Sequence, residues 1–309
     1  MAPALLSAAS KSPLHSSWRK RNKETVQKIY NLTIYPANAK IITEGASAVP
    51  TGLFNANATG RVTPVGEFSG FQDSIEYFFG LAPLPTGAPP NGAITNATLV
   101  EFTTGCAEVA ASTVYLTVST INADGSAGAY ISTLKQVAFW HFDAEGAVLQ
   151  YDAWIPSLAV FANLSHGGGL AGQNGTIQGI CDLQAQTCVG NNTVYDSAAA
   201  CNQTLSAKPF GSLDEAWGDN VVCRTIHVLL TKIRPEVHCP HVGPTGGGKC
   251  VDVEYNDVYF NDEFLFGEPL GGHSTARMKT MIDRIDCLEV VSYNQTLQLD
   301  ARTSHVVVI

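Results

Sequence analysis

The chain has 309 residues, 45% of them hydrophobic and 15% charged, which is typical of a globular protein that can bury a sizeable core. Its net charge of −9 disfavours nucleic acid as a partner, because such binding needs a surface rich in Lys and Arg. No segment approaches the ~18 consecutive apolar residues of a transmembrane helix, so we expect no membrane span.

Residues 1–21 have features of a weak secretory leader. The run from Ala2 to Ala9 is apolar and small, but no basic residue precedes it and Lys11 follows almost at once. Secretory signals normally have a basic start and an apolar stretch of about 7–15 residues before the cleavage site. The nearby basic cluster Arg19–Arg21 is typical of a solvated linker or a processing site. We therefore expect an exported protein with a marginal leader.

Glycosylation acceptor sites and cysteines indicate the same compartment. The pattern Asn-x-Ser/Thr occurs eight times, never with Pro in the middle, at Asn31, Asn57, Asn96, Asn163, Asn174, Asn191, Asn202 and Asn294. Eight cysteines accompany these sites, and an even count with six between residues 181 and 250 is typical of disulfides made in an oxidising compartment. We expect bridges among Cys181, Cys188, Cys201, Cys223, Cys239 and Cys250, with the pairing left open.

The first elements of the predicted domain, residues 22–165, are helical. The spacing of Val26, Ile29 and Tyr30 predicts a helix over residues 23–31. A polar, Gly- and Pro-rich stretch follows, for which we predict no regular structure. Residues 70–81 then carry an apolar stripe that predicts a short amphipathic helix.

From Thr98 onwards the apolar period changes from helical to alternating, which predicts strands. The clearest is a hairpin over residues 137–156, where two aromatic, alternating runs flank Ala144-Glu145-Gly146. Glycine in such a loop supplies the positive φ that a short turn requires. Helices followed by an antiparallel meander predict an α+β fold with a cone-like, curved antiparallel sheet.

The rest of the chain has a different character. Residues 166–175 are Gly-rich and are predicted to be a flexible joint. We assign residues 166–270 to a disulfide-tied, glycosylated extension with one main helix, capped by Ser212 and ending near Ile233. The tail, residues 271–309, receives no structural assignment.

Three glycine-rich or Cys/His-rich patterns raise the question of a cofactor. Residues 243–249 fit the spacing of a phosphate-binding loop, but Cys250 stands where Ser or Thr should hold magnesium. Residues 167–172 fit the spacing of a dinucleotide site, but the residues after them do not predict a helix. A zinc set of His238, Cys239, His241 and Cys250 is disfavoured because the cysteines count toward disulfides, for example Cys239–Cys250. We expect no cofactor and no metal.

The hairpin carries the candidate catalytic side chains, because it brings acid, base and aromatic groups close together. We assign acid–base roles to His141, Tyr151 and Asp152, and substrate contacts to Trp140, Trp154, Tyr115 and Phe78. Strand alternation places neighbouring residues on opposite faces, so these side chains cannot all line one cavity. The competing interpretation is that the aromatic residues are plain core and that aspartates near the turn only cap it.

The strand pattern Phe142-Asp143-x-x-Gly146-x-Val148 resembles that of nuclear transport factor 2-like (SnoaL-like) folds. Further blocks, residues 32–36, 48–54, 71–82 and 238–250, resemble a family of secreted fungal glycoproteins that includes hetero-Diels–Alderases of tropolonic sesquiterpenoid pathways. The resemblance implies cofactor-independent cyclisation of a small apolar, polyketide- or terpene-like substrate. Two alternatives stay open, namely a secreted carrier of such a molecule and a structural or host-interaction glycoprotein without catalysis.

We expect N-linked glycans on the secreted protein. Endoglycosidase digestion of material expressed in a eukaryotic host with the native leader should increase its mobility on a gel, since removal of glycans lowers the mass. Protein made in a bacterial cytosol is the control and should not shift. If protein recovered from the eukaryotic medium does not shift either, the glycan prediction is wrong.

Overall fold

Helices precede and follow a six-stranded sheet in the computed structural model, which describes residues 13–85, 87, 91–165, 172–214, 216–254 and 256. The helices are α1 (Pro13–Leu32), α2 (Ala37–Glu44), α3 (Gly70–Ile75), α4 (Leu158–Ser165), α5 (Gly172–Thr187), α6 (Ala198–Ser206), α7 (Val221–Leu230) and α8 (Pro235–Val242). The strands are β1 (Phe54–Thr63), β2 (Gly66–Ser69), β3 (Gly92–Thr103), β4 (Val109–Ile121), β5 (Ala127–Phe142) and β6 (Val148–Trp154).

The sheet has the strand order β2-β1-β6-β5-β4-β3. Strands β3 to β6 form the predicted antiparallel meander, and β1 adds to it by pairing in parallel with β6. The turn between β5 and β6 is the predicted one, in which Gly146 donates its amide hydrogen to the carbonyl of Asp143 and has a φ of 91°. The α+β fold class is therefore confirmed, and the sheet is mixed rather than wholly antiparallel.

Helices α1, α2 and α3 pack against the sheet and share one apolar core with it. Helix α3 continues as a π-helical turn over Glu76–Gly80, in which the first four side chains are all buried. A second, smaller core lies among α5, α6, α7 and α8. All described residues belong to one compact unit, within Met1–His273.

Several local predictions are wrong. Strands β1 and β2 and helix α2 occupy the stretch predicted to be irregular, and helix α5 begins at Gly172, inside the predicted joint. The element before those glycines is helix α4 rather than the strand that a dinucleotide site requires. Within the described part of residues 166–270, the extension contains four α-helices instead of one main helix. Helix α7 is capped by Asn220, whose side chain accepts from the Cys223 amide at 2.8 Å, and not by Ser212.

The basic cluster at Arg19–Arg21 lies on helix α1 rather than in a linker. Arg21 donates to the carbonyl oxygens of Ala144 and Ala107 at 2.9 and 3.2 Å. The neighbouring Asn22 is buried and also donates to Ala107. This end of the helix is therefore attached to the loops of the sheet. The leader residues before Pro13 and the tail after Asn256 lie outside the described residues.

The six cysteines predicted to be bridged form three disulfides, Cys181–Cys201, Cys188–Cys239 and Cys223–Cys250. The example pairing of Cys239 with Cys250 is wrong, because α8 places Cys239 beside the end of α5. No cysteine in the described part of the chain is free. Three bridges fit an extracellular or secretory location.

Seven of the eight glycosylation acceptor asparagines fall in the described residues, and all seven are exposed. Asn31, Asn163, Asn174 and Asn202 lie in helices, and Asn57 and Asn96 lie on strands. Asn294 lies outside the described residues. Among the helices of the described ranges, none has both the length and the apolar character needed to cross a bilayer.

Position 60 in β1 has no room for a side chain because of its partner in β6. Gly60 lies opposite Tyr151, and a Cβ built at Gly60 would sit 2.0 Å from atoms of the Tyr151 ring. We expect Gly60→Ala to lower the free energy of unfolding by ~1–3 kcal/mol, because the ring would have to leave a packed core. Urea denaturation of the oxidised protein measures this.

The matched control is Gly179→Ala, within the exposed part of α5, where an added Cβ meets no atom within 4 Å. That change should raise the free energy of unfolding by up to ~1 kcal/mol, since Ala favours a helix over Gly. Equal effects of the two substitutions would contradict the close contact between Tyr151 and Gly60.

Candidate functional site

Alternation along β5 and β6 divides the predicted site residues between the two faces of the sheet. Trp140 and Tyr151 are register partners on the inner face, where each is 1% exposed. His141, Asp152 and Trp154 lie on the opposite face and are partly exposed. The structure therefore brings the candidates together as two sets rather than one.

The inner set belongs to an aromatic cluster centred on Phe78 of the π-helical turn. The Phe78 ring centroid lies 5.1 Å from that of Tyr151, 5.9 Å from Trp140, 6.3 Å from Tyr30 and 4.8 Å from Tyr77. Such spacings are those of directly packed rings. The side chains of the inner face thus fill the space between α1, α3 and the sheet.

Trp140, Tyr77 and Tyr151 of this cluster each have a hydrogen-bond partner for their polar atom, whereas the buried Tyr30 hydroxyl has none among the described residues. Trp140 donates from Nε1 to Ser112 Oγ at 2.8 Å, and Gln136 donates from Nε2 to Tyr77 Oη at 2.9 Å. The Tyr151 hydroxyl donates to Ser74 Oγ at 3.2 Å. Burial raises the pKa of the Tyr77 and Tyr151 hydroxyls well above the ordinary value for tyrosine. Tyr151 is therefore a protonated, water-excluded hydroxyl in this structure.

The outer set lies on what we call the hairpin face, formed by Arg61, Phe139, His141, Asp152 and Trp154. Asp152 accepts two hydrogen bonds from Arg61, from Nη2 to Oδ2 at 2.8 Å and from Nε to Oδ1 at 3.3 Å. The Phe139 and Trp154 rings meet edge to face with centroids 5.8 Å apart, and Phe139 is 58% exposed.

His141 lies beside this aromatic pair and the Arg61–Asp152 ion pair. Its Nδ1 is 2.9 Å from Oε1 of Gln150, its register partner on β6. In an antiparallel pair, His141 and Asp152 are diagonal neighbours, about 7–8 Å apart. The hairpin face thus places an imidazole, a carboxylate and two aromatic rings near one another, with the buried guanidinium of Arg61 paired to the carboxylate.

Tyr115, predicted to contact substrate, lies away from the hairpin face. It pairs with Lys135 on β5, four residues from Phe139, which corresponds to about 13 Å along the strand. Tyr115 is 40% exposed.

A pocket of about 250 Å³ lies between α4, the start of α5 and residues 210–213. None of its lining residues is ionisable, and Asn163, a glycosylation acceptor, forms part of the wall. This pocket could hold an apolar group but offers no acid or base.

Three histidines, His227, His238 and His241, meet between α7 and α8. His227 Nδ1 lies 3.3 Å from His238 Nδ1 and 3.2 Å from His241 Nδ1. Burial, together with the neighbouring histidines, lowers the pKa of His227 well below its usual value and that of His241 to about 4. Neutral imidazoles of this kind are the form that binds metal ions. The Cys/His zinc set is not formed, because Cys239 and Cys250 are bridged.

A buried carboxylate adjoins the histidines. Glu76 is 2% exposed, and its Oε2 lies 2.9 Å from His238 Nε2. Arg234 pairs with Glu76 and with Asp73, the latter at 2.5 Å. Burial alone would raise the pKa of Glu76, but hydrogen bonds from Arg234 and His238 outweigh it and hold the pKa below its usual value. The sequence signals that could have indicated this cluster are His238 and His241, three residues apart on one helix, and a glutamate inside an apolar stripe.

Comparison with known proteins identifies the family. A model described as the BfoA N-terminal domain matches residues 27–153, and the BfoA family C-terminal domain matches residues 165–253. The two matches together cover more than half of the chain, which therefore belongs to the BfoA family.

Relatives include the aurasperone B biosynthesis cluster protein A of Aspergillus niger and the bifonsecin B biosynthesis cluster protein A of Aspergillus brasiliensis. Each is 31% identical to this chain over 258 residues, which cover 77% of this chain. The match covers 81% of the A. niger protein and 84% of the A. brasiliensis protein. The predicted membership of a fungal family linked to secondary metabolism is thus confirmed.

Similar solved structures include one described as a SnoaL-like polyketide cyclase from Jannaschia sp. CCS1, with 13% identity and a TM-score of 0.32. The match covers 51% of this chain and 98% of the Jannaschia protein. A phenazine biosynthesis-related protein from Pseudomonas aeruginosa matches with 14% identity and a TM-score of 0.31, over 53% of this chain and 88% of its own. At these TM-scores we assign the fold from the element order and sheet topology of the chain itself.

We expect Asp152→Asn to destabilise the protein. The Arg61 side chain is 7% exposed and would lose its partner charge, at a cost on the order of 3 kcal/mol for a broken buried ion pair. Thermal and urea unfolding measure the change. Asp182→Asn, at an exposed position on α5, is the control and should stay within ~0.5 kcal/mol of the wild type. Equal stability of both variants would contradict the assigned ion pair.

Proposed function

We propose that this protein is an enzyme of fungal secondary metabolism that cyclises or isomerises a small polyketide- or terpene-like molecule with its own side chains. The observation that supports this most directly is the similarity, over about four fifths of their length, to proteins named for the aurasperone B and bifonsecin B biosynthesis clusters. The hairpin face supplies side chains suited to acid–base chemistry on such a substrate.

The finer proposal is a hetero-Diels–Alder reaction preceded by dehydration. A phenol-type hydroxyl loses its proton to a base, and a neighbouring hydroxymethyl group takes up a proton and leaves as water. The resulting quinone methide then adds across a terpene alkene, forming two bonds with no other product. The atoms and electrons of these two steps balance without an oxidant, a reductant or a nucleotide.

Each residue of the hairpin face has a role in this proposal. His141 exchanges the proton with the substrate, and Asp152 holds the guanidinium of Arg61 close to this face. A fixed positive charge of this kind stabilises an oxyanion without reorganisation during the reaction. Phe139 and Trp154 form an aromatic edge against which a planar ring can stack, which holds the two reacting partners in near-attack geometry.

The test is an assay of the purified protein with a quinone methide precursor and a terpene alkene. We expect the wild type to raise both the rate and the stereoselectivity of the cycloaddition. His141→Phe should slow it by ~10²-fold or more, the usual contribution of general acid–base catalysis. Tyr130→Phe, at a 66% exposed tyrosine distant from this face, is the control and should leave the rate unchanged.

Two results would overturn parts of the proposal. A protein that binds the terpene but leaves the rate and the product ratio unchanged is a carrier, and the enzyme assignment then fails. A loss of activity in Tyr151→Phe but not in His141→Phe would move the site to the inner aromatic cluster.

A further inference from the structure

We propose that His227, His238 and His241 bind a divalent transition-metal ion of the Zn²⁺ type, with Glu76 as the carboxylate that orients His238. This site contradicts the expectation from the cysteine count that the protein holds no metal. It lies between the π-helical turn after α3 and helices α7 and α8, and it does not rest on the proposed function.

The spacing of the nitrogens is that of ligands around one ion. Two nitrogens bound at 2.0–2.1 Å to a tetrahedral Zn²⁺ lie about 3.3–3.4 Å apart. The two Nδ1–Nδ1 distances from His227 are 3.3 and 3.2 Å. All three imidazoles offer a nitrogen within 4.8 Å of the others.

Hydrogen bonding among the histidines explains this arrangement less well. A neutral imidazole nitrogen carries either one hydrogen or one lone pair. The Nδ1 of His227 contacts two other Nδ1 atoms, so its single hydrogen or single lone pair would have to serve both neighbours. A cation at the centre accepts a lone pair from each nitrogen at once.

Glu76 selects the tautomer of His238 that a metal requires. A histidine that donates from Nε2 to a carboxylate has its Nδ1 lone pair available, and a carboxylate behind the ring makes that nitrogen a stronger ligand. Glu76 Oε2 lies 2.9 Å from His238 Nε2, on the side of the ring away from His227. Arg234 fixes the same carboxylate, so the histidine is held in one orientation.

The donor set indicates which ion fits. The cluster formed by Cys223, His227 and Cys250 offers no thiolate, since those two cysteines are bridged to each other. Three imidazole ligands suit Zn²⁺ and the neighbouring first-row ions rather than Ca²⁺ or Mg²⁺, which prefer oxygen ligands. His227 and His241 are partly exposed, which leaves a fourth coordination position for water.

The experiment uses the full, oxidised chain secreted from a eukaryotic host and stripped with dipicolinate. Zn²⁺ is titrated in competition with a chromogenic chelator, and the bound metal is measured by elemental analysis after gel filtration. We expect about one ion per chain, the count for a single site of this kind. His227→Gln and His241→Gln should each weaken binding by ~100-fold or more, beyond the 10–100-fold effect typical of outer-shell partners.

His141→Gln is the matched control, since that histidine lies on the hairpin face, and it should bind Zn²⁺ like the wild type. X-ray absorption of the Zn²⁺-loaded wild type gives a test independent of any variant, and we expect three imidazole ligands and no sulfur. If the stripped wild type binds no added Zn²⁺, the proposal is overturned. It is also overturned if the spectrum shows fewer than two imidazole ligands, or if all three variants lose Zn²⁺ binding equally.

Discussion

The buried carboxylate of Glu76 is the constraint on which the packing of the helices after the sheet depends. It lies on the same π-helical turn as Tyr77, Phe78 and Phe79, whose rings fill the core. An ionised carboxylate in such surroundings costs several kcal/mol unless charged or hydrogen-bonding partners reach it. Those partners are Arg234, immediately before α8, and His238, within α8. The turn that places aromatic rings in the core therefore also determines where α7 and α8 dock, and so brings the three histidines to one place.

A second constraint acts within the sheet and determines which chemistry is accessible. Because side chains alternate along a strand, a shift of one residue in β6 would exchange the inner and outer sets. The contact of the Tyr151 ring with Gly60 prevents this shift, since a glycine is needed wherever the ring lies. With that register, Trp140 and Tyr151 are core, and His141 and Asp152 face outwards. Tyr151, assigned an acid–base role from the sequence, thus has its hydroxyl buried and bonded to Ser74 in the described structure.

Elements that depend on residues close together in the sequence could be predicted from the sequence. The hairpin of β5 and β6 could be predicted because aromatic alternation and an Asp-x-x-Gly turn are adjacent in sequence, and the amphipathic stripe of α3 was equally visible. Strand β1 could not, because its sequence is rich in small and polar residues and its partner β6 lies far along the chain. Both Ser212 and Asn220 are good cap residues, and only packing shows that Asn220 begins α7. Of the histidine cluster, the sequence indicated only His238 and His241 on one helix, because His227 comes from another helix and Glu76 from the turn after α3.

The disulfides and the histidine cluster are connected by ligand chemistry. In an oxidised chain, each bridge removes two thiolates from the possible metal ligands, so a Cys/His zinc site competes with the covalent framework. Imidazoles do not take part in that competition. The bridges Cys188–Cys239 and Cys223–Cys250 instead attach α8 to α5 and α7 to the loop after α8, on either side of the histidines. Oxidation thus stabilises the helices that carry His227, His238 and His241 while leaving their nitrogens available. The same bridges that argued against a Cys/His zinc site therefore leave the three histidines as the nitrogen ligands that a metal in this extension could use.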